Sequence, residues 1–556
     1  LGPTEAIKAS TEYVCSKLSQ STTKYKRNKL HKRDEFYVEP ELKGIGTRFE
    51  IQKPNALQPA LPVRLQCTFP YISILQSLKC AFKNKSFLET YLEYNKHGNG
   101  HTCKEGDYID FCCGSVYKSR SIFQKFPNSL QIQIFLDDFE PCNPLGSKAT
   151  LHKICGVYFS VRNMPQNSKL SSIYLIALCN SDDLKTKSTD YNNLLRLIVE
   201  DLKVLEVDGI NVSSDLNLKG TLGVFSADNL GANGAFGFVE SFGSANIHFC
   251  KICELPKYRC QTACKEDISA MRTIKNYEVH LETISNSTKV NLEQTKGIKR
   301  DCDLNKLKYF HTMENYCIDQ MHDVAEGIVP FVLHQVFQYI IEKKICTEVS
   351  LTHKIQFYDY GIIESKNVPS MIMLSKPNLN QNAAQSMCLF KNIPYILSGL
   401  KEKLNEIWIC VTSLQKIIQT IESDKIHESD LILLESNIHD HLESLQNIFG
   451  VKLIPKHHNL VHYPRVIRAM GSVKNMSTIR FEAKHQVFKS ISRQNKNFKK
   501  LTYTLAMKHQ KLIAKKMKTF SNILEVSSSK GKVISSDQLP INIMKDSAFE
   551  IKRLTI

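Results

Sequence analysis

Three acidic residues stand where side chains can do phosphate chemistry. Asp137, followed at once by Asp138, closes a strand-like run. Asp228 closes a later one and precedes Asn-Leu-Gly-Ala-Asn-Gly234. Glu482 lies in Arg480-Phe-Glu-Ala-Lys-His485, at the opening of a helical pattern. Carboxylates delivered from different elements to one point are the hard oxygen ligands that two Mg²⁺ or Mn²⁺ ions need, with positions left open for water and phosphate. Each aspartate alone reads as a turn or cap residue, as strand-end aspartates usually are. Only the three together make metal-ion chemistry competitive.

A second constellation suits Zn²⁺. Cys250-Lys-Ile-Cys253 is a CxxC, and Lys456-His-His-Asn-Leu-Val-His-Tyr-Pro464 supplies His457 and His462, with His458 able to replace His457. Two thiolates and two imidazoles close a tetrahedral structural site and would staple distant parts of the chain together. A local rival is an all-cysteine knuckle of Cys250, Cys253, Cys260 and Cys264. A redox role is disfavoured, because no βαβ pattern of the thioredoxin kind surrounds the pair. A third segment, Asp319-x-x-His322-Asp323-x-x-Glu326, shares one helix face and offers an alternative third acid. Its plainer reading is a helix start with favourable acids in the first turn.

The elements that would position these groups follow from periodicity. Leu130-Gln-Ile-Gln-Ile-Phe-Leu136 alternates with period two, Lys153–Val161 is rich in β-formers, and Ser172–Cys179 is an apolar run suited to a buried strand. A helix is expected over Asn192–Leu205, through Leu194, Leu195, Ile198 and Leu202, then a strand over Leu222–Ala227. A further helix is expected near Ile72–Tyr94. From Met313 to Phe449 the pattern is helical, with apolar stripes from Leu400 to Ile421 and from Leu431 to Phe449, the second stopped by Gly450. The expected organisation is a basic N-terminal arm (1–60), a mixed helical region (61–125), a mixed α/β core with the CxxC (126–255), a helical insertion (256–450), a completion of the core (451–524) and a tail (525–556).

Charge narrows the partners. The 556 residues carry 73 Lys+Arg against 55 Asp+Glu, a net charge of +18, and this surplus favours an anionic partner, nucleic acid first. No acid occurs between Glu482 and Glu525, while Lys484 to Lys518 holds eleven Lys/Arg. With Phe488, Leu501 and Leu505 among them, this reads as a pair of basic amphipathic helices lining a phosphate track, with Lys484, Lys489, Lys499, Lys500 and Lys508 setting position rather than reading bases. Lys24 to Arg33 holds six Lys/Arg in ten residues, a nuclear-import or DNA-contacting arm or else a solvated linker. Hydrophobic residues make up 42%, enough for a large core, and no uninterrupted apolar stretch approaches 18 residues, so a membrane partner is not expected. The 18 cysteines lack the spacing of a secreted disulfide framework, and most are expected to be reduced. Leu1-Gly-Pro, without an initiator methionine, suggests a fragment.

Six motifs in order carry a family resemblance. Asp137–Ser147, Ala227-Asp-Asn-Leu-Gly231, Gly237–Phe242 with Phe249-Cys-Lys-Ile-Cys253, Met321-His-Asp-Val-Ala-Glu-Gly327, Pro455–Pro464 and Arg480–His485 together resemble the cut-and-paste transposases of the CACTA/Mirage/Chapaev group. The order acid, acid, CxxC, helical stretch, histidines, glutamate is also similar to the Transib-related recombinase of vertebrate immune gene rearrangement. The resemblance covers roughly Leu61 to Gln510. It implies an RNase H-like α/β core with a mixed sheet, interrupted by a large all-α insertion. It implies a DDE triad of Asp137, Asp228 and Glu482 holding two Mg²⁺ or Mn²⁺, and zinc ligands Cys250, Cys253, His457 and His462. It further implies cleavage and strand transfer of double-stranded DNA in the nucleus by a homodimer or larger assembly. The alternatives are a catalytically silent, host-retained DNA-binding protein on the same scaffold and, more remotely, a zinc hydrolase using His457, His462 and Glu482.

Overall fold

Strands form where β-branched and aromatic residues cluster, and six of them join one sheet. The computed structural model describes residues 23–52, 61–96, 104–141, 153–165, 170–184, 190–243, 246–287, 289–495 and 500–524. The strands are β1 (Glu41–Gln52), β2 (Leu61–Tyr71), β3 (Leu130–Phe139), β4 (Ile154–Val161), β5 (Tyr174–Asn180) and β6 (Gly220–Ala227). Their order across the sheet is β1-β2-β5-β4-β3-β6. β3, β4 and β5 form an antiparallel meander, and β6 lies parallel to β3 with Leu136 opposite Ala227. The protein is therefore mixed α/β around a six-stranded mixed sheet.

The four expected strands and the helix between the third and fourth occur close to their expected bounds, but residues 23–52 and 61–71 do not follow the expectation of an arm and a helical region. Lys24–Lys32 is a helix (α1), and β1 and β2 make a long antiparallel hairpin that extends the sheet. The expected helix near Ile72–Tyr94 is two, α2 (Ile74–Phe82) and α3 (Lys85–Lys96).

Helices cover both faces of the sheet. On one side packs α4 (Tyr191–Val207), capped by Asp190 and Asn193, which exchange side-chain and backbone hydrogen bonds at its start. Its Leu194, Leu195, Ile198 and Leu202 lie against β6 and share one buried core with Ile132, Ile134 and Leu136 of β3. The short helix α5 (Asn229–Phe236) follows β6 and ends at Gly237, whose φ of 80° and close approach to the Arg300 carbonyl leave no room for a Cβ.

Between α5 and the last two helices the chain is mainly helical. The stretch Met321–Ile328 is wound more widely than an α-helix and leads directly into α6 (Val329–Glu342). α6 is long and apolar because Val332, Leu333, Val336 and Phe337 sit in the core of this region. Helices α7 (Asn405–Ile421) and α8 (Glu428–Phe449) bury the two expected stripes, and Gly450 closes α8 with a φ of 65°. The helical pattern is not continuous, however: 357–382 is largely turns. Two short helices follow, α9 (Pro455–Leu460) and α10 (Tyr463–Met470).

The chain then returns to the sheet through α11 (Ile479–Asn495) and α12 (Leu501–Leu524). Phe481 stacks on Phe135 at 4.9 Å, and Phe488, Leu501 and Leu505 complete an apolar layer with Phe139, Tyr158 and Leu175. Each fully buried phenylalanine contributes about 1.5–3 kcal/mol. This layer fixes α11, and with it Glu482, over β3. The expected tail, 525–556, lies outside the described residues.

Candidate acid and cysteine–histidine centres

Strand alternation decides which aspartate of the Asp137-Asp138 pair faces α11. Successive side chains of a strand point to opposite faces, so Asp137 shares the face of Phe135 and Phe139, which pack on α11. Asp138 instead accepts from Ser181 Oγ (2.8 Å) and pairs with Lys153 (3.3 Å). Asp228 immediately follows β6, the parallel neighbour of β3, so the two acids sit at adjacent carboxyl-terminal strand ends. Asp228 also caps α5, accepting from Gly231 N (2.5 Å). The cap role and the site role coincide in one residue. Glu482, in the first turn of α11, completes the group.

The three carboxyls act on one another electrostatically. Burial and then the charges of Asp228 and Glu482 push Asp137 up to about 8, against weaker relief from His322. Burial also raises Glu482, with His322 and the Thr478 hydroxyl opposing. Like charges crowded in a half-dry pocket are what a divalent cation relieves.

Two histidines and a supporting pair also line the centre, and their part in it was not foreseen. His322 Nε2 lies 3.6 Å from Glu482 Oε1, while its Nδ1 is held by Asp319 Oδ2 at 2.6 Å. Burial would lower His322, but the Asp319 hydrogen bond and the charges of Asp319, Glu482 and Asp228 lift it to about 9. Thr478 ties the group together, donating its hydroxyl within range of Asp319 Oδ2 (2.7 Å) and Glu482 Oε1 (3.0 Å). His485, one turn beyond Glu482, stacks on Phe139 at 4.5 Å and lies 3.8 Å from Asp137. The Asp319/His322 spacing was visible in the sequence as a helix face, but nothing local tied that face to Glu482. Thr478 carried no signal at all.

The cysteine–histidine centre is assembled from two distant segments. Cys250, Cys253, His458 and His462 are buried, and their donor atoms all lie within 4.8 Å of one another, an arrangement that could hold a metal ion. Cys253 Sγ lies 3.2 Å from His458 Nε2, Cys250 Sγ 3.6 Å from His462 Nε2, and the two Nε2 atoms 3.3 Å apart. Burial opposes ionisation of Cys250, but the Cys253 hydrogen bond and the two imidazoles pull it well below the ordinary thiol range. Burial likewise opposes charge on His458, yet the Cys250 thiolate lifts it to about 10. A soft cation would replace those protons. His462 Nδ1 is hydrogen-bonded to Glu266 (2.7 Å), which Arg465 grips in turn, fixing the ring with Nε2 toward the sulfurs.

His457 is therefore not part of this set. Its Nδ1 accepts from Ile454 N and its ring packs on Phe331, away from the sulfurs. The reason is helical phase: residues four apart share a face, whereas five apart diverge by about 140°. The HxxxH spacing of His458 and His462 was the signal. The all-cysteine knuckle does not form either, since Cys264 Sγ faces Gln446 Nε2 at 3.1 Å.

A buried polar node links the two centres. Asp323 is fully buried and accepts from Asn229 Nδ2 (2.7 Å), Asn459 Nδ2 (3.0 Å) and the Tyr463 hydroxyl (3.3 Å). Asn229 follows Asp228, Asn459 follows His458, and Lys251 between the two cysteines donates to Asn229 Oδ1 at 3.0 Å.

The five lysines assigned to a phosphate track part company. Lys484 is only 2% exposed and donates to the Leu170 carbonyl (2.8 Å), with burial and then Lys516 pushing it down to about 7. It is a core residue, because it sits on the inner face of α11 beside His485 and Phe488. Lys489 and Lys508 are half-buried and Lys500 is exposed, while Lys499 lies outside the described residues. No protein-family model matches the chain, and no curated protein sequence matches it.

Proposed function

We propose that this chain is a DDE-type DNA transposase, or a transposon-derived relative, built on an RNase H-like core into which the helical region is inserted. The observation that carries the reading is the convergence of Asp137, Asp228 and Glu482: two acids at adjacent parallel strand ends and a third delivered by a helix laid over the same face. These three residues would hold Mg²⁺ or Mn²⁺, which when bound supplies the charge that activates an attacking oxygen and stabilises the leaving one. The protein's own contribution is positional. Thr478 and the Asp319–His322 pair hold Glu482, and Phe135 and Phe481 exclude water behind Asp137. The P–O3′ bond of the cut strand breaks as water oxygen bonds to phosphorus, and the departing 3′ oxygen takes up a proton. In strand transfer that 3′ hydroxyl would bond to a target phosphorus as the target's own P–O3′ bond breaks, the displaced 3′ oxygen taking up the proton.

Cys250, Cys253, His458 and His462 would hold a structural Zn²⁺, joining the segment after α5 to α9 and α10. Four buried protein donors fit a closed site, which argues for a staple rather than a hydrolytic zinc. The DNA partner, the nuclear location and an assembly of subunits belong to the same proposal. The test is nicking of duplex DNA with and without Mg²⁺ or Mn²⁺ by the wild type, Asp137→Asn and Glu482→Gln. Metal-dependent nicking by the wild type alone is expected; equal activity in all three proteins would sink the assignment.

A further inference from the structure

A third buried thiol stands beside the cysteine–histidine centre. Cys260 ends the short helix Lys257–Cys260 and is only 1% exposed. Two backbone hydrogen bonds tie this helix to the segments leading into the ligands. Lys257 N donates to the Ile247 carbonyl (2.6 Å), just ahead of Cys250, and Leu453 N donates to the Gln261 carbonyl (3.0 Å), just ahead of His458. Cys260 is thereby anchored between the two ligand pairs, and its sulfur is hydrogen-bonded to Cys253 and to His458. Buried cysteines are usually small core residues. This one meets a sulfur and an imidazole as well as hydrocarbon.

The backbone of Leu255 brings the sulfurs of Cys253 and Cys260 together. Its N–H donates to Cys253 Sγ, and its carbonyl lies 3.5 Å from Cys260 Sγ as an acceptor. Cys260 stands outside the ligand set. The donor atoms that lie within 4.8 Å of one another are those of Cys250, Cys253, His458 and His462, and four complete a tetrahedron. Its place is behind the ligands, where a second ring of hydrogen bonds orients metal-binding groups. His462 already has such a partner in Glu266. Cys250 Sγ accepts from Ile252 N (3.3 Å) and Cys253 N (3.4 Å), while for Cys253 the backbone donor is Leu255. Cys260 supplies Cys253 with a second donor. Its S–H has two acceptors in reach, a neutral carbonyl and, once a cation keeps Cys253 ionised, a thiolate. A hydrogen bond to a charged acceptor is about twice as strong as one between neutral groups, so the thiolate wins.

We infer that Cys260 is a positioning residue of the cysteine–histidine centre, donating its S–H to the Cys253 thiolate and, through that sulfur, strengthening the hold on a divalent cation such as Zn²⁺. This role rests on the structural-zinc reading above.

The test uses the full chain with Zn²⁺ or Co²⁺ as the only metal. It compares the wild type with Cys260→Ser, which keeps an O–H donor, and Cys260→Val, which keeps the volume without one. Competition against a chelator is expected to show Zn²⁺ held about 10–100-fold more weakly by Cys260→Val, with Cys260→Ser recovering most of that loss. In the Co²⁺-loaded proteins the sulfur-to-metal absorption band should move to longer wavelength in Cys260→Val, because a thiolate that loses a hydrogen bond gives up its electrons more readily. The band's intensity should be equal in all three proteins, since the same pair of thiolates binds throughout. Equal Zn²⁺ affinity in all three, or tighter binding by the valine variant than by the serine one, would make Cys260 a packing residue and overturn the role. A band weaker by about one third in both variants would make it a third thiolate ligand, and would equally overturn its position behind the ligands. Should Cys260→Val fail to fold, Cys260→Ala takes its place in both measurements. Wild-type chain that takes up no Zn²⁺ removes the centre itself; wild-type uptake with an unshifted band in the variants removes the role of Cys260 alone.

Discussion

The acid centre and the cysteine–histidine centre lie on either side of one buried node and solve opposite electrostatic problems. At Cys250, Cys253, His458 and His462 the ionised groups compensate each other, thiolate against imidazolium, and all four donors are sealed from water. At Asp137, Asp228 and Glu482 burial and then the charges of the two neighbouring acids drive Asp137 up to about 8, and among the described residues His322 offers a positive charge nearby. The first arrangement converts cation binding into folding stability. The second holds buried carboxyls of like charge together at a cost in stability, which on the reading proposed above a cation and a phosphate would draw on. The cysteine–histidine set and the acid set thus differ in what the loss of a member should do.

The largest difference should appear when each set loses a ligand. Cys250→Ser is expected to empty the cysteine–histidine site and to lower the thermal midpoint by at least about 10 °C, since structural zinc is worth about as much as a domain's whole stability. Metal content and calorimetry measure this, and His457→Leu in the same assay should keep the metal. If His457→Leu loses it and His458→Leu does not, the ligand set given above is wrong.

Asp137→Asn should abolish nicking while leaving the fold intact or more stable. The sign follows from linkage. The native carboxyl holds its proton to about pH 8, far above the unfolded value near 4, so the wild type loses stability as pH rises across that window, by up to about 1.4 kcal/mol per pH unit. The variant has no such loss. Denaturant unfolding at pH 4 and pH 8 should show the two proteins converging at the lower pH and Asp137→Asn ahead at the higher; Mg²⁺ should close the gap. A wild type as stable as the variant at pH 8 without cation would mean that burial and the neighbouring acids do not raise Asp137.

A change at the node should reach both centres. Asp323→Asn replaces one of the two accepting oxygens by a donor, set either against Asn229 and Asn459 or against the Tyr463 hydroxyl, and is expected to cost about 1–3 kcal/mol. It should also speed metal release to a chelator and reduce nicking. Loss of stability with both centres unaffected would make the node ordinary core.

The smallest effects separate buried from exposed lysines. Lys484→Met should leave the salt dependence of DNA binding unchanged and stability equal or higher, because it removes a buried amine from an apolar layer. Lys500→Gln should do the reverse, with a slope smaller by about 0.9 if it meets one phosphate.

Much of this could be read along the chain. The runs at Leu130, Lys153 and Ser172 and the stripes of α4, α7 and α8 became strands and helices because their periodicity is local. Asp137 over Asp138 follows from period-two alternation once Phe135 and Phe139 are known to be inward. The hairpin of β1 and β2 was missed, because polar residues such as Lys43, Arg48 and Gln52 break the alternation and the pairing is what stabilises it. His322 was seen as a helix face, yet its meeting with Glu482 joins residues 160 positions apart.

Sequence alone therefore determined the chemical inventory: three acids at element ends, one CxxC, a histidine pair, and a positive surplus gathered after Glu482. Tertiary structure decided which members meet. It selected His458 over His457, since a single residue turns a helix by about 100° and only packing fixes which phase faces the sulfurs. It withdrew Lys484 into the core and brought α1 against α12, where Lys511 donates to Asn28. Side-chain direction is a local property of the backbone, but the partner it points at is set by which elements the hydrophobic layers bring together.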